Sequence, residues 1–108
     1  MPRPRAAARI IEHPDLSAVT LQQVLDALVD PVRRSLVAQL AGRAGEMSCG
    51  SFDTTVSDST LTHHFNVLRE AGLLRQSYAG TTKMNALRAD EVEARFPGLL
   101  ASILAAGD

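Results

Sequence analysis

Ser59, Thr62, His63 and Asn66 recur at three- and four-residue spacing. At 100° per residue they fall within about 100° of one another on a helix, opposite Leu61, Phe65 and Leu68. One side of such a helix is apolar and the other is a hydrogen-bonding surface. Short polar side chains let a helix settle into a DNA major groove about 12 Å wide, where Ser, Thr, His and Asn reach base edges or phosphates and Asn suits adenine. Arg69 at the end of the segment, with Arg75 and Lys83 beyond it, supplies cations for phosphate contacts that fix register without reading sequence. Ser57 and Thr60 complete the candidate DNA-binding set.

Other chemistry is less well supported. Adjacent helical residues point about 100° apart, so His63 and His64 rarely ligate one ion together. His64 reads as a packing residue. Cys49 is the single cysteine, which excludes an internal disulfide and multi-cysteine zinc sites within one chain. It reads as a small hydrophobe under a loop, and a thiol hydrolase built on it fails because no base and orienting group are legible. No catalytic residue, metal site or cofactor is expected.

The elements that must position these residues follow from caps and periodicity. Thr20 with Gln23 is a capping box ahead of Leu21, Val24, Leu25 and Leu28 at helical spacing. Asp30-Pro31 opens a second helix that Gly42 ends. Residues 43–56 are rich in Gly, Ser and Thr and predict no more than a turn or short helix. Ser57 caps the next helix, over about 58–71, with Gly72 placed for a left-handed end. Leu73 to Tyr78 and Lys83 to Leu87 read as two short strands around a Gly80 turn, a wing over about 73–87. Asp90 is expected to cap a last helix over about 91–105, interrupted or restarted at Pro97. The layout is mainly α: a winged helix-turn-helix with a three-helix core, a short β-hairpin wing and additional terminal helices.

With 108 residues, 45% of them hydrophobic, the chain fits one domain, over residues 15–108, and a binding module better than an enzyme. Residues 1–14 form a basic arm carrying Arg3, Arg5 and Arg9, either a solvated tail or an element that tracks DNA. No apolar run is long enough for a membrane span, and a cytoplasmic protein is expected. The formal net charge of -1 argues superficially against a nucleic-acid partner. Charge is segregated, however: Leu61 to Arg88 holds Arg69, Arg75, Lys83 and Arg88 against Glu70 alone, while Glu12 to Asp30 holds acids and no Lys or Arg. A basic face over the recognition helix and wing is therefore expected.

Ala27-Leu28-Val29-Asp30-Pro31-Val32-Arg33 and Ser57-Asp58-Ser59-Thr60-Leu61-Thr62-His63-His64-Phe65-Asn66-Val67-Leu68-Arg69-Glu70-Ala71-Gly72-Leu73-Leu74 resemble the ArsR/SmtB family of bacterial winged-helix repressors. The resemblance implies a homodimer that binds a palindromic operator in double-stranded DNA and is released by a metal ion or another signal. It also implies that the end helices form the dimer contact, for which Leu21, Val24, Leu25, Phe96, Leu99, Leu100, Ile103 and Leu104 are the candidates. Metal-responsive members carry a Cys-x-Cys type motif before the recognition helix, or His and acidic pairs on the last helix. This chain has one Cys and no His after His64, so metal sensing is unsupported and the effector is not named by the sequence. The helix before the recognition helix is shortened, and a hairpin without aromatic residues in its second strand predicts a small wing. The competing expectation is a winged-helix protein-interaction module without DNA affinity, in keeping with a pI near 6.3.

Overall fold

The computed structural model describes residues 10–43 and 45–107. The arm residues Arg3, Arg5 and Arg9, and Asp108, lie outside them. The starts of the first three helices are made by the side chains the sequence offers. Thr20 and Gln23 exchange bonds in a complete capping box before α1, Leu21–Leu28. Asp30 accepts from the Val32 and Arg33 amides, with Pro31 in the first position of α2, Pro31–Ala41. Ser57 accepts from the Thr60 amide at the start of α3, Asp58–Glu70.

The corner between α1 and α2 is closed from both sides. Arg33 Nε donates to the Ala27 carbonyl at 2.6 Å, and Arg34 Nη1 donates to the Leu28 and Val29 carbonyls at 2.9 Å each. The carbonyls that α1 leaves without helical partners are thus satisfied by the first turn of α2.

At the far end of α3 the Leu73 amide donates to Leu68 and the Gly72 amide to Arg69, the paired bonds of a Schellman turn. Gly72 takes φ +80° there, and a β-carbon on it would lie 3.2 Å from Leu16 and Val19 side-chain atoms. Leu68 and Leu73, which flank the turn, are both fully buried.

The chain then runs into β2, Leu74–Ala79, and β3, Thr82–Leu87, an antiparallel hairpin whose Gly80 has φ +64° at the tip. A strand the sequence does not announce, β1 at Met47–Ser48, pairs with β3, so the sheet order is β1-β3-β2. A single 3-10 turn at Cys49–Ser51 stands where the sequence predicts a turn or short helix ahead of α3.

Beyond the sheet lie α4, Ala89–Arg95, and α5, Leu99–Ala106, with Pro97 in the break between them. Asp90 is not the cap that its position suggests. Arg88 occupies that place without a capping bond, and Asp90 and Glu91 sit in the first turn, where negative charge suits the helix dipole.

The core gathers Leu36, Val37 and Leu40 of α2, Leu61, Phe65 and Leu68 of α3, Leu73, Leu74 and Val92. Residues Leu16 and Val19 close it from the N-terminal side, held by Arg95, which donates to both their carbonyls at 3.2 Å. Arg88 Nη1 donates to the Pro14 carbonyl at 2.9 Å and His13 Nε2 accepts from the Gln76 amide at 2.8 Å. The docked part of the chain therefore begins before residue 15, inside the expected arm.

Gly72→Ala should lower the free energy of unfolding by about 1–2 kcal/mol from the left-handed backbone alone, with crowding against Leu16 and Val19 adding to it. Urea denaturation measures this, and an unchanged midpoint contradicts the stated role of the turn.

Candidate nucleic-acid interface

The fixed face of α3 decides what its other face presents. Leu61, His64, Phe65 and Leu68 are buried, Phe65 edge-on to Phe52 with ring centroids 5.1 Å apart. Arg33 Nη1 lies 3.1 Å from His64 Nδ1. Since arginine only donates, Nδ1 accepts and the neutral ring carries its proton on Nε2. Burial pushes this imidazole below its usual range, with Arg33 and His63 adding to the effect and Asp30 opposing it. His64 is the packing residue the sequence indicated.

Ser57, Ser59, Thr60, Thr62 and His63 are all exposed on one end of α3. Ser57 Oγ donates to Thr60 Oγ1 at 2.9 Å and lies 3.3 Å from Ser59 Oγ, so the three hydroxyls form one cluster at the helix start. Thr62 Oγ1 donates to the Asp58 carbonyl at 3.0 Å, which commits its proton to the backbone and leaves its lone pairs outward. Asn66 is half-buried, and its Oδ1 accepts from Arg69 Nη1 at 3.1 Å.

The cations do not all stand where the sequence put them. The Arg69 side chain is only 19% exposed and turns inward, with Nη1 also donating to Gln76 Oε1 at 3.0 Å. Arg75 reaches Glu91 at 2.7 Å, and Arg88, expected in the basic face, is buried against the same carboxylate at 2.7 Å. Lys83 on the wing is half-buried and makes no ion pair among the described residues. The charge count over Leu61 to Arg88 therefore overstates the free positive charge on this face.

Sequence reasoning missed the polar groups beneath it. Gln76 and Asn85 face each other in register at the centre of the sheet and are almost fully buried. Gln76 Nε2 donates to Asn85 Oδ1 at 2.8 Å, and Asn85 Nδ2 donates to the Met47 carbonyl at 3.3 Å and to Cys49 Sγ at 3.2 Å. Two amides at inward positions of alternating strands were the available signal. His13 was missed as well. Burial, then Arg75, Arg88 and Arg69, push its imidazole below the usual range.

The candidate dimer residues divide. Leu21 and Leu25 of α1 are 47% and 41% exposed, and Val29 beside them is 72% exposed. Phe96, Leu99, Ile103 and Leu104 are half-buried. Val24 and Leu100, 1% and 7% exposed, are packed in the core of the single chain. An open groove of about 520 Å³ runs between Leu25, Leu28, Val29, Arg34, Ile103 and Ala106, which brings the first and last helices together on one face. Among the described residues, no group of three or more His, Cys, Asp or Glu could hold a metal ion. No helix among them is long and apolar enough to cross a membrane.

Comparison with known proteins adds two findings. A family model described as a helix-turn-helix domain matches residues 28–77, from the end of α1 into β2. The uncharacterized HTH-type transcriptional regulator YceK of Bacillus subtilis (strain 168) is 32% identical over 83 residues, covering 75% of this chain and 83% of the relative.

The Glu91 cluster has a pH signature. Hydrogen bonds from Arg88, and then Arg75, hold the Glu91 carboxyl down to about 2 from its usual 4.5. Its pairs therefore add stability that is fully present above about 4.5 and is lost as pH falls from there towards 2. Glu91→Gln should flatten that limb of a stability-against-pH profile, modestly because the side chain is half exposed. An identical acid limb in the variant contradicts the assignment.

Proposed function

The chain belongs to the helix-turn-helix transcriptional regulators, DNA-binding proteins, and from that premise we propose that it is a dimeric winged-helix repressor of the ArsR/SmtB type. It binds an inverted-repeat operator in the cytoplasm and acts by binding alone, without catalysis. The observation that carries this is the open face of α3. Ser57, Ser59, Thr60, Thr62 and His63 are exposed on a helix whose opposite face is fixed in the core. That combination suits insertion into the major groove, where rigid placement of short polar groups gives direct readout.

Within this proposal α3 lies in the groove with Ser59, Thr62, His63 and Asn66 towards base edges. Ser57 and Thr60 meet a phosphate at the helix start, where free amides and the dipole favour an anion. Lys83 contacts the backbone from the wing, and Arg75 does so by exchanging Glu91 for a phosphate. The second subunit covers the α1 and α5 face through Leu21, Leu25, Val29, Phe96, Leu99, Ile103 and Leu104. No metal is assigned as the signal, because the ligand sets of metal-responsive relatives are not in the sequence.

Selection of duplexes from a random pool should return an inverted repeat with half-sites about 34–36 Å apart, one DNA turn. His63→Ala should relax base choice at one position. Lys83→Ala should weaken all sequences alike and reduce the salt slope by about 1. No enrichment even at low salt overturns the proposal in favour of a protein-interaction module. Leu25→Glu should give a monomer in sedimentation and lose binding to the full repeat, and a variant that remains dimeric contradicts the assigned subunit contact.

A further inference from the structure

The amide chain under the recognition helix has a fixed polarity. Arginine has donors and no acceptor, so Arg69 Nη1 must meet oxygen at both of its hydrogen-bond partners, Asn66 Oδ1 at 3.1 Å and Gln76 Oε1 at 3.0 Å, while Nη2 lies 3.9 Å from the exposed Glu70 carboxylate. With its oxygen taken, Gln76 turns its nitrogen to Asn85 Oδ1, and Asn85 turns its nitrogen to the Met47 carbonyl, which can only accept. An all-donor group at one end and an all-acceptor group at the other leave one orientation for every amide between them. No buried polar side-chain atom among the described residues lacks a partner.

From this chain we propose that Arg69 and Gln76 are positioning residues for sequence readout: they fix the side chain of Asn66, and Arg69 is not a phosphate contact. The inference rests on the proposed DNA binding and adds to it the means by which a base-reading amide is oriented. Gln76 is 2% exposed in the sheet, so it cannot touch DNA itself. It acts through Arg69, which it anchors to the wing strand seven residues further along the chain. Without that anchor the guanidinium is free to turn to water or phosphate, and Asn66 regains its other rotamers and both amide flips. The wing strand thereby takes part in base choice as a support beneath the helix, apart from any contact it makes with the DNA backbone.

The test is binding of the full chain to its selected operator and to the single-base variants of one half-site. Asn66→Ala identifies the position that Asn66 reads. At that position Gln76→Leu should cut discrimination roughly 5- to 150-fold, the range a good base contact supplies. Arg69→Ala should do the same with an unchanged salt slope. Gln76→Glu keeps an oxygen for Arg69 and should retain discrimination, although it loses the bond donated to Asn85 Oδ1, because a carboxylate has no donor, and it buries a charge. Arg69 is partly exposed, so Arg69→Ala decides the matter even where Gln76→Leu does not fold.

Full discrimination in folded Gln76→Leu overturns the inference. So does a salt slope lowered by about one in Arg69→Ala with base preference intact, the signature of a phosphate contact. So does Asn66→Ala without effect on base choice. A parent protein with no sequence preference overturns the DNA-binding proposal itself and the inference with it, an outcome distinguishable from the others because it appears before any substitution.

Discussion

Burial of Leu61, Phe65 and Leu68 is the interaction on which the α3 surface depends, because a helix fixed on one face has no freedom in what it shows on the other. The usual support for such a helix, a second helix packed across its start, is reduced here to one 3-10 turn at Cys49–Ser51. Other contacts take its place. Phe52 packs edge-on against Phe65, Arg33 ties His64 to the α1–α2 corner, and the Schellman turn at Gly72 passes the chain directly into β2. The left-handed backbone at Gly72 and the close approach of Leu16 and Val19 make that turn a point where local conformation and tertiary packing demand the same residue.

Positive charge is distributed in an economical way. Arg33, Arg34, Arg88 and Arg95 each donate to a backbone carbonyl, joining α1 to α2 and the N-terminal segment to the C-terminal half. These arginines hold the fold together, while Arg69 and Arg75 are engaged by amides and by Glu91. Among the described residues the open face of α3 therefore presents chiefly hydroxyls and an imidazole, and on the proposed function readout would depend on hydrogen-bond geometry more than on net charge. Geometry of that kind needs rigid support, a part we propose for the buried row of Met47, Asn85 and Gln76.

Most of the frame was legible in the sequence. Local chemistry dominates at Thr20, Asp30, Ser57 and Gly72, where a cap or a left-handed turn requires a particular residue, and those elements stand where the residues indicate. Asp90 misled because a carboxylate suits both the cap and the first turn, and here it stands in the first turn with Arg88 at the cap position. Strand β1 was not legible, since two residues carry no period and pair only because β3 passes beside them. The candidate residues on α3 were found by helical spacing, which fixes a face without regard to distant partners. The partners of Arg69 and Arg75 within the chain were not legible, because Gln76 and Glu91 lie seven and sixteen residues away and only the folded chain brings them together.

Titration of the labelled protein with its selected duplex, followed by backbone amide NMR, tests the central claim most directly. DNA should perturb the amides of residues 57–66 and of the wing tip at 80–83, and leave the centre of α5 unmoved. Perturbation confined to α1 and α5, or none on α3, would contradict it.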